Sequence, residues 1–176
     1  LYDPFCGSGT FLIEAAYKAK NIAPGIYRRF AAEKWDSLPS KIWQTSREEA
    51  IEKIRKDIEF TAFGSDISQD SLEIAEANAR RAGISGLIRL EKADVKNFTI
   101  PDRKSLVVTN PPYGERLMNG EDLTKLYQTM GNVFQPSQQT AYYIISSAED
   151  FEQDFGRRAD KKRKLYNGML KCNLYQ

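Results

Sequence analysis

The 176-residue chain contains no histidine. That removes the usual general base at neutral pH, the catalytic triads built on it and most zinc sites. No metal is expected. Cysteine is almost as scarce: Cys6 and Cys172 stand at opposite ends, so neither a C-x-x-C motif nor a disulfide framework exists. A cytoplasmic setting is the default expectation. No apolar run approaches a membrane span and no signal-peptide pattern opens the chain. A net charge of +2 is too small to imply a nucleic-acid partner. The local run Arg157, Arg158, Lys161, Lys162, Arg163, Lys164 is more suggestive, although a solvated helix or loop is the plainer account of it. An initiating Met is also missing. Leu1-Tyr2-Asp3 reads as the last residues of a strand, so the expectation is one domain, residues 1–176, taken from a longer protein.

What the chain does have is organised around Leu106-Val107-Val108-Thr109-Asn110-Pro111-Pro112-Tyr113-Gly114. Three apolar β-formers predict a short buried strand. Two prolines, which cannot donate to a ladder, end it at Asn110. An amide, a rigid turn and an aromatic ring then stand at the carboxyl end of a parallel strand, where open α/β sheets bind ligands. The bland alternative is a turn without chemistry.

Asp3-Pro4-Phe5-Cys6-Gly7-Ser8-Gly9-Thr10 predicts a strand end, a glycine loop and a helix start, followed by Phe11, Leu12, Ala15, Ala16 and Ala19 at helical spacing. Gly7 and Gly9 allow close backbone approach to a ligand, or simply a tight turn. A dinucleotide fingerprint wants a third glycine where Leu12 stands, and no P-loop lysine follows. A carboxylate ahead of the glycines, Asp3, suits a ligand with an ammonium group and no phosphates; S-adenosylmethionine is such a ligand. Residues 21–46 predict an ordered insertion with Tyr27, Phe30, Trp35 and Trp43, whose aromatics are expected to pack, or else to cover a cofactor or touch RNA. Ser46-Arg47-Glu48-Glu49 reads as a capping box opening a helix through Ile51, Ile54 and Ile58.

Phe60–Asp66 predicts the next strand, and Ser68 a cap for a helix that Gly83 stops. Asp66 is suited to accept both hydroxyls of a ribose, or to serve a helix N-terminus. Asp94, after the strand 87–93, is a turn former by itself. As third in a series of acids at strand ends it becomes a ligand for an adenine amino group, with the next backbone N–H, that of Val95, facing a ring nitrogen. A helix over about 120–134, a strand over 141–147, a short helix over 148–155 and a hairpin turning on Asn167-Gly168 complete the prediction.

Asp3-Pro-Phe-Cys-Gly-Ser-Gly-Thr, Ile22-Ala-Pro-Gly-Ile, Asn110-Pro-Pro-Tyr-Gly-Glu-Arg-Leu and Arg163-Lys-Leu-Tyr-Asn-Gly resemble the THUMP-domain RNA methyltransferases. The likeness is to the bacterial branch that methylates guanine N2 in large-subunit ribosomal RNA, often labelled adenine-specific DNA methylases. The resemblance implies a class I, Rossmann-like α/β fold: a mainly parallel seven-stranded sheet with a C-terminal antiparallel hairpin. It implies S-adenosylmethionine as cofactor and RNA, 23S rRNA by the branch, as partner. Matched by motif, Asp3, Phe5, Gly7, Ser8, Gly9 and Thr10 fall on the methionine-side loop. Asp66 and Ile67 fall on the ribose position, Asp94 and Val95 on the adenine position, and Asn110, Pro111, Pro112 and Tyr113 on the target-base motif. The THUMP region expected upstream, and with it much of the RNA recognition, is absent from this chain. A DNA adenine methyltransferase uses the same amine chemistry, and a binding module retaining the fold is the non-catalytic alternative.

Overall fold

The computed structural model describes residues 1–113 and 120–176, and of Asn167 the backbone alone. Seven strands form one sheet in the order β3-β2-β1-β4-β5-β7-β6. Strand β1 (Tyr2–Asp3) is central and only two residues long. It pairs in parallel with β2 (Ala62–Asp66) and β4 (Ser105–Thr109). Outward from these, β3 (Ile88–Lys92) and β5 (Thr140–Ser146) are also parallel. The hairpin β6 (Lys162–Asn167) and β7 (Leu170–Tyr175) closes the edge antiparallel to β5. The carboxyl ends of β3, β2, β1 and β4 therefore share one rim.

Helices cover both faces. On one side α1 (Thr10–Lys20) and α3 (Gln69–Arg81) press Leu12, Ala16, Leu72 and Ala79 onto Ala62 and Ile88. On the other, α4 (Gly120–Val133) and α5 (Phe151–Phe155) press Tyr127, Met130 and Phe151 onto Val107 and Ile144. Ser68 caps α3 as expected, its hydroxyl accepting from Ser71 N at 3.2 Å. The strand at 106–109 is buried at Val107 and Thr109 and ends before Asn110, as two prolines require.

Three local expectations need correction. The helix α2 runs Ser40–Glu52, so Ser46 lies in its interior and is no cap. Pro39 is its N-cap (φ −57°, ψ 131°), and Ile42 N bonds back to the Pro39 carbonyl. It ends at Glu52 because residues 53–58 turn back onto α1: Arg55 N donates to Lys20 O, and Asn21 Nδ2 to Lys53 O. Ile54 and Ile58 thus lie beyond it. The insertion is ordered but does not pack as expected. Phe30 and Trp43 stack at 5.8 Å and Arg47 ties Glu33 and the Arg28 carbonyl together, yet Tyr27 and Trp35 remain more than 60% exposed. Finally, Asn167 pairs with Leu170, which makes Gly168-Met169 the turn. Gly168 at φ +61° supplies the first position of a Gly-X hairpin turn. Residues 114–119, including the end of the Asn110 motif, lie outside the described residues.

Candidate active site

The loop after β1 lies flat on its neighbours because small residues let it. Gly9 has φ +80°, and a Cβ there would meet Ala75 Cβ at 3.1 Å. A side chain on Gly64 would collide with Leu12 Cδ1 at 2.4 Å. The loop is then tied down by Cys6 N to Ser65 O (3.0 Å) and by Asn78 Nδ2 to Ser8 O (2.8 Å). These bonds aim Gly7 N at the next strand's acid, and Asp66 Oδ2 accepts from it at 3.0 Å. The other Asp66 oxygen accepts from Ser68 N at 2.9 Å, joining the rim to the start of α3.

Asp3 is the buried centre of the rim, 2% exposed. Its Oδ1 accepts from the Thr109 hydroxyl at 2.7 Å and from Phe5 N at 3.2 Å. Among the described residues Oδ2 has no donor. Burial pushes the carboxyl up to about 6, against the pull of the Thr109 and Phe5 bonds; the Asp66 charge adds to the rise. A half-satisfied buried carboxylate is a strong attractor for a cation.

Asp3 lines a cavity of about 570 Å³ together with Phe5, Gly7, Ser8, Thr10, Asn110 and Tyr113. No Lys or Arg is among its described lining residues. The cavity thus offers a carboxylate and backbone amides and no counter-ion for a phosphate, which fits a zwitterionic, sulfonium-bearing ligand. Cys6 also lines it, but burial pushes the thiol up to about 12, so it stays protonated and is no nucleophile. A second cavity of about 680 Å³ starts at the same Asp3 and runs to Asp94.

The predicted residues are gathered unevenly. Asn110 is exposed at the cavity wall, whereas the Pro111 ring is fully buried beneath it. The Pro112 carbonyl accepts a long bond (3.5 Å) from the buried Tyr127 hydroxyl, which also meets Ser146 Oγ at 3.0 Å. Tyr113 Oη lies 3.9 Å from Cys172 Sγ. Ser8 and Thr10 hydroxyls pair with each other at 3.2 Å. Asp94 caps a short 3-10 turn: it accepts from Lys96 N at 2.9 Å and meets Lys96 Nζ at 3.2 Å, and the backbone bond chiefly holds its carboxyl below the usual range. Val95 sends its side chain into the core, and Ile67 is largely exposed. The far wall of the first cavity was not legible: Phe11, Ile145, Leu165, Tyr166 and Cys172 close it from α1, β5 and the hairpin. Only the strand order brings these residues near Asn110.

Residues 1–176 match the family described as UPF0020, RMKL-like methyltransferase domain. The chain belongs to this methyltransferase family. The domain is 44% identical to YpsC of Bacillus subtilis (strain 168), over 99% of this chain and 45% of that protein. It is 40% identical to ribosomal RNA large subunit methyltransferase K/L of Shewanella baltica (strain OS185), over 99% of this chain and 26% of that protein. The methyltransferase domain thus spans less than half the length of either relative. A crystal structure of SMU.472 complexed with SAH superposes with TM-score 0.94 at 43% identity, covering 99% of this chain and 46% of that one. Among the described residues no acid or cysteine group could hold a metal, and no helix is long and apolar enough to cross a membrane.

Proposed function

We propose that this domain methylates the exocyclic amine of a nucleobase in RNA; the ribosomal RNA methyltransferases among its relatives support an RNA substrate, and guanine N2 of large-subunit ribosomal RNA is the target the family resemblance implies. The observation that carries the reading is that Asn110 and Asp3 line one cavity, across which a donor and an amine can meet. S-adenosylmethionine supplies a methyl group already activated on a sulfonium. Asp3 and the Gly7–Gly9 loop hold the ammonium end, Asp66 and Ile67 the ribose, and Asp94 and Val95 the adenine. The Asn110 side-chain oxygen and the Pro111 carbonyl accept the two N–H bonds of the target amine. That pairing turns the nitrogen lone pair out of conjugation with the ring. Tyr113 packs on the base, which must leave its stack first at a cost of a few kcal/mol.

Alignment is the main contribution, since a well-oriented pair of reactants lowers a barrier by about 7 kcal/mol or more. The proton leaves the amine nitrogen for water after transfer, so the lack of histidine is no obstacle. A tritium-transfer assay with ribosomal RNA and duplex DNA as separate acceptors tests the reading. Counts in the RNA are expected; counts in DNA alone favour the adenine-specific alternative.

A further inference from the structure

The β6–β7 hairpin carries side-chain charge of one sign only. Residues 161–176 carry Lys161, Lys162, Arg163, Lys164 and Lys171 and no acid. Of these only Lys162 has a carboxylate partner among the described residues, Glu152 at 2.9 Å. All five are exposed. Strand alternation puts Lys162, Lys164 and Tyr166 on one face, and the register sets Lys171 opposite Tyr166. Lys164 Nζ sits 5.3 Å from the centre of the Tyr166 ring. That ring, 65% exposed, lines the same cavity as Asn110 and Tyr113. A row of cations therefore ends at the mouth of the reaction cavity, whose own described lining is free of basic groups.

We propose that this hairpin is a phosphate-binding track that leads single-stranded RNA to the cavity, with Lys164 and Lys171 as its contacts beside the mouth. The proposal rests on the RNA-methylation reading and adds to it a recognition element within this domain. The inward wall and the outward row divide the work. The cavity excludes phosphate and accepts a base, while the hairpin holds the backbone on either side of that base. Phosphate contacts of this kind set position and carry no sequence preference.

The test uses the full-length protein, a fluorescein-labelled single-stranded RNA and fluorescence anisotropy across a salt series, with no methyl donor present. In Lys164→Gln/Lys171→Gln the slope of log affinity against log salt should flatten by about 1.4, close to 0.7 for each phosphate that no longer meets a cation. Affinity near 0.15 M salt should fall by about tenfold on RNAs of differing sequence. SAH affinity by calorimetry should not change, and Lys164→Arg/Lys171→Arg should keep the wild-type slope. An unchanged slope in the Gln variant, an equal loss in the Arg variant, a loss of SAH binding, or an effect confined to duplex DNA each overturns the proposal. Because binding is read without transfer, a wild-type protein that binds with this salt dependence but methylates no RNA removes the methylation reading and leaves the track standing.

Discussion

The sheet halves on either side of the β1–β4 boundary are built from different materials. Under α1 and α3, on one face of β1, β2 and β3, the core is small and aliphatic: Leu12, Ala16, Ala62, Leu72, Ala79 and Ile88. Around β4 to β7 it is aromatic: Tyr127, Phe134, Phe151 and Tyr175 interlock, with ring centres as close as 4.5 Å. The first half must let a backbone loop lie against a neighbouring strand, and small residues permit that approach. The second half must hold a two-proline turn out at the rim without sag, and buried rings give it a stiff base. Charge divides the same way. The first half ends two strands in Asp3 and Asp66 and places Asp94 two residues after a third. The hairpin of the second half carries only cations. On the proposed function, the first half serves a cationic donor and the second a polyanionic acceptor.

The largest way to break this division is at Asn110. Asn110→Ala should lower methyl transfer by about 100-fold or more, the scale for losing a preorganised polar group at a reacting centre. SAH affinity by calorimetry should stay near wild type. Joint loss of both would move Asn110 into the donor half. Asp3→Ala comes next: removing a buried charged acceptor should weaken SAH binding by about 30-fold, within the range for charge-assisted bonds. RNA affinity measured without donor should hold.

Asp3 also sharpens the comparison through pH. Its folded pKa, about 6, lies above the ordinary 3.8, so the folded state binds the extra proton. The stability this gives is fully present below pH about 4 and is lost as pH rises through 6, on the order of 3 kcal/mol in all. Thermal melts should therefore show wild type declining over that window and Asp3→Asn flat across it. Ligand affinity runs the opposite way, since a cation needs the ionised carboxyl: SAH binding should weaken as pH falls through 6. Smallest is Ser68→Ala, which removes the bond to Ser71 N and should cost about 1 kcal/mol in melts while sparing transfer.

The acids of the first half are visible in the sequence because Asp3 and Asp66 close strands and Asp94 follows one within two residues, each ahead of a turn or helix signal. Asp66 or Asp94 alone reads equally well as a helix or turn partner, and it is the series with Asp3 that singles them out. Their alignment on one rim was not derivable from periodicity; it follows from the order β3-β2-β1-β4. The errors were local. Ser46-Arg47-Glu48-Glu49 has the residues of a capping box, but Pro39 offers an earlier start and nothing between residues 40 and 52 breaks a helix. Asn167-Gly168 and Gly168-Met169 are both good turn pairs, and the cross-strand partners of β7 chose the second. The acceptor half was harder to read. Leu165, Tyr166 and Cys172 meet Asn110 only through the sheet's crossover, which no short-range signal encodes.

The most direct measurement is mass spectrometry of nucleosides from ribosomal RNA incubated with the full-length protein and S-adenosylmethionine bearing a deuterated methyl group. The account predicts the heavy methyl on an exocyclic amine, as N2-methylguanosine. A label on a ring carbon, a ring nitrogen or a ribose oxygen would contradict it, because Asn110 and the Pro111 carbonyl have two N–H bonds to accept only at an amino group.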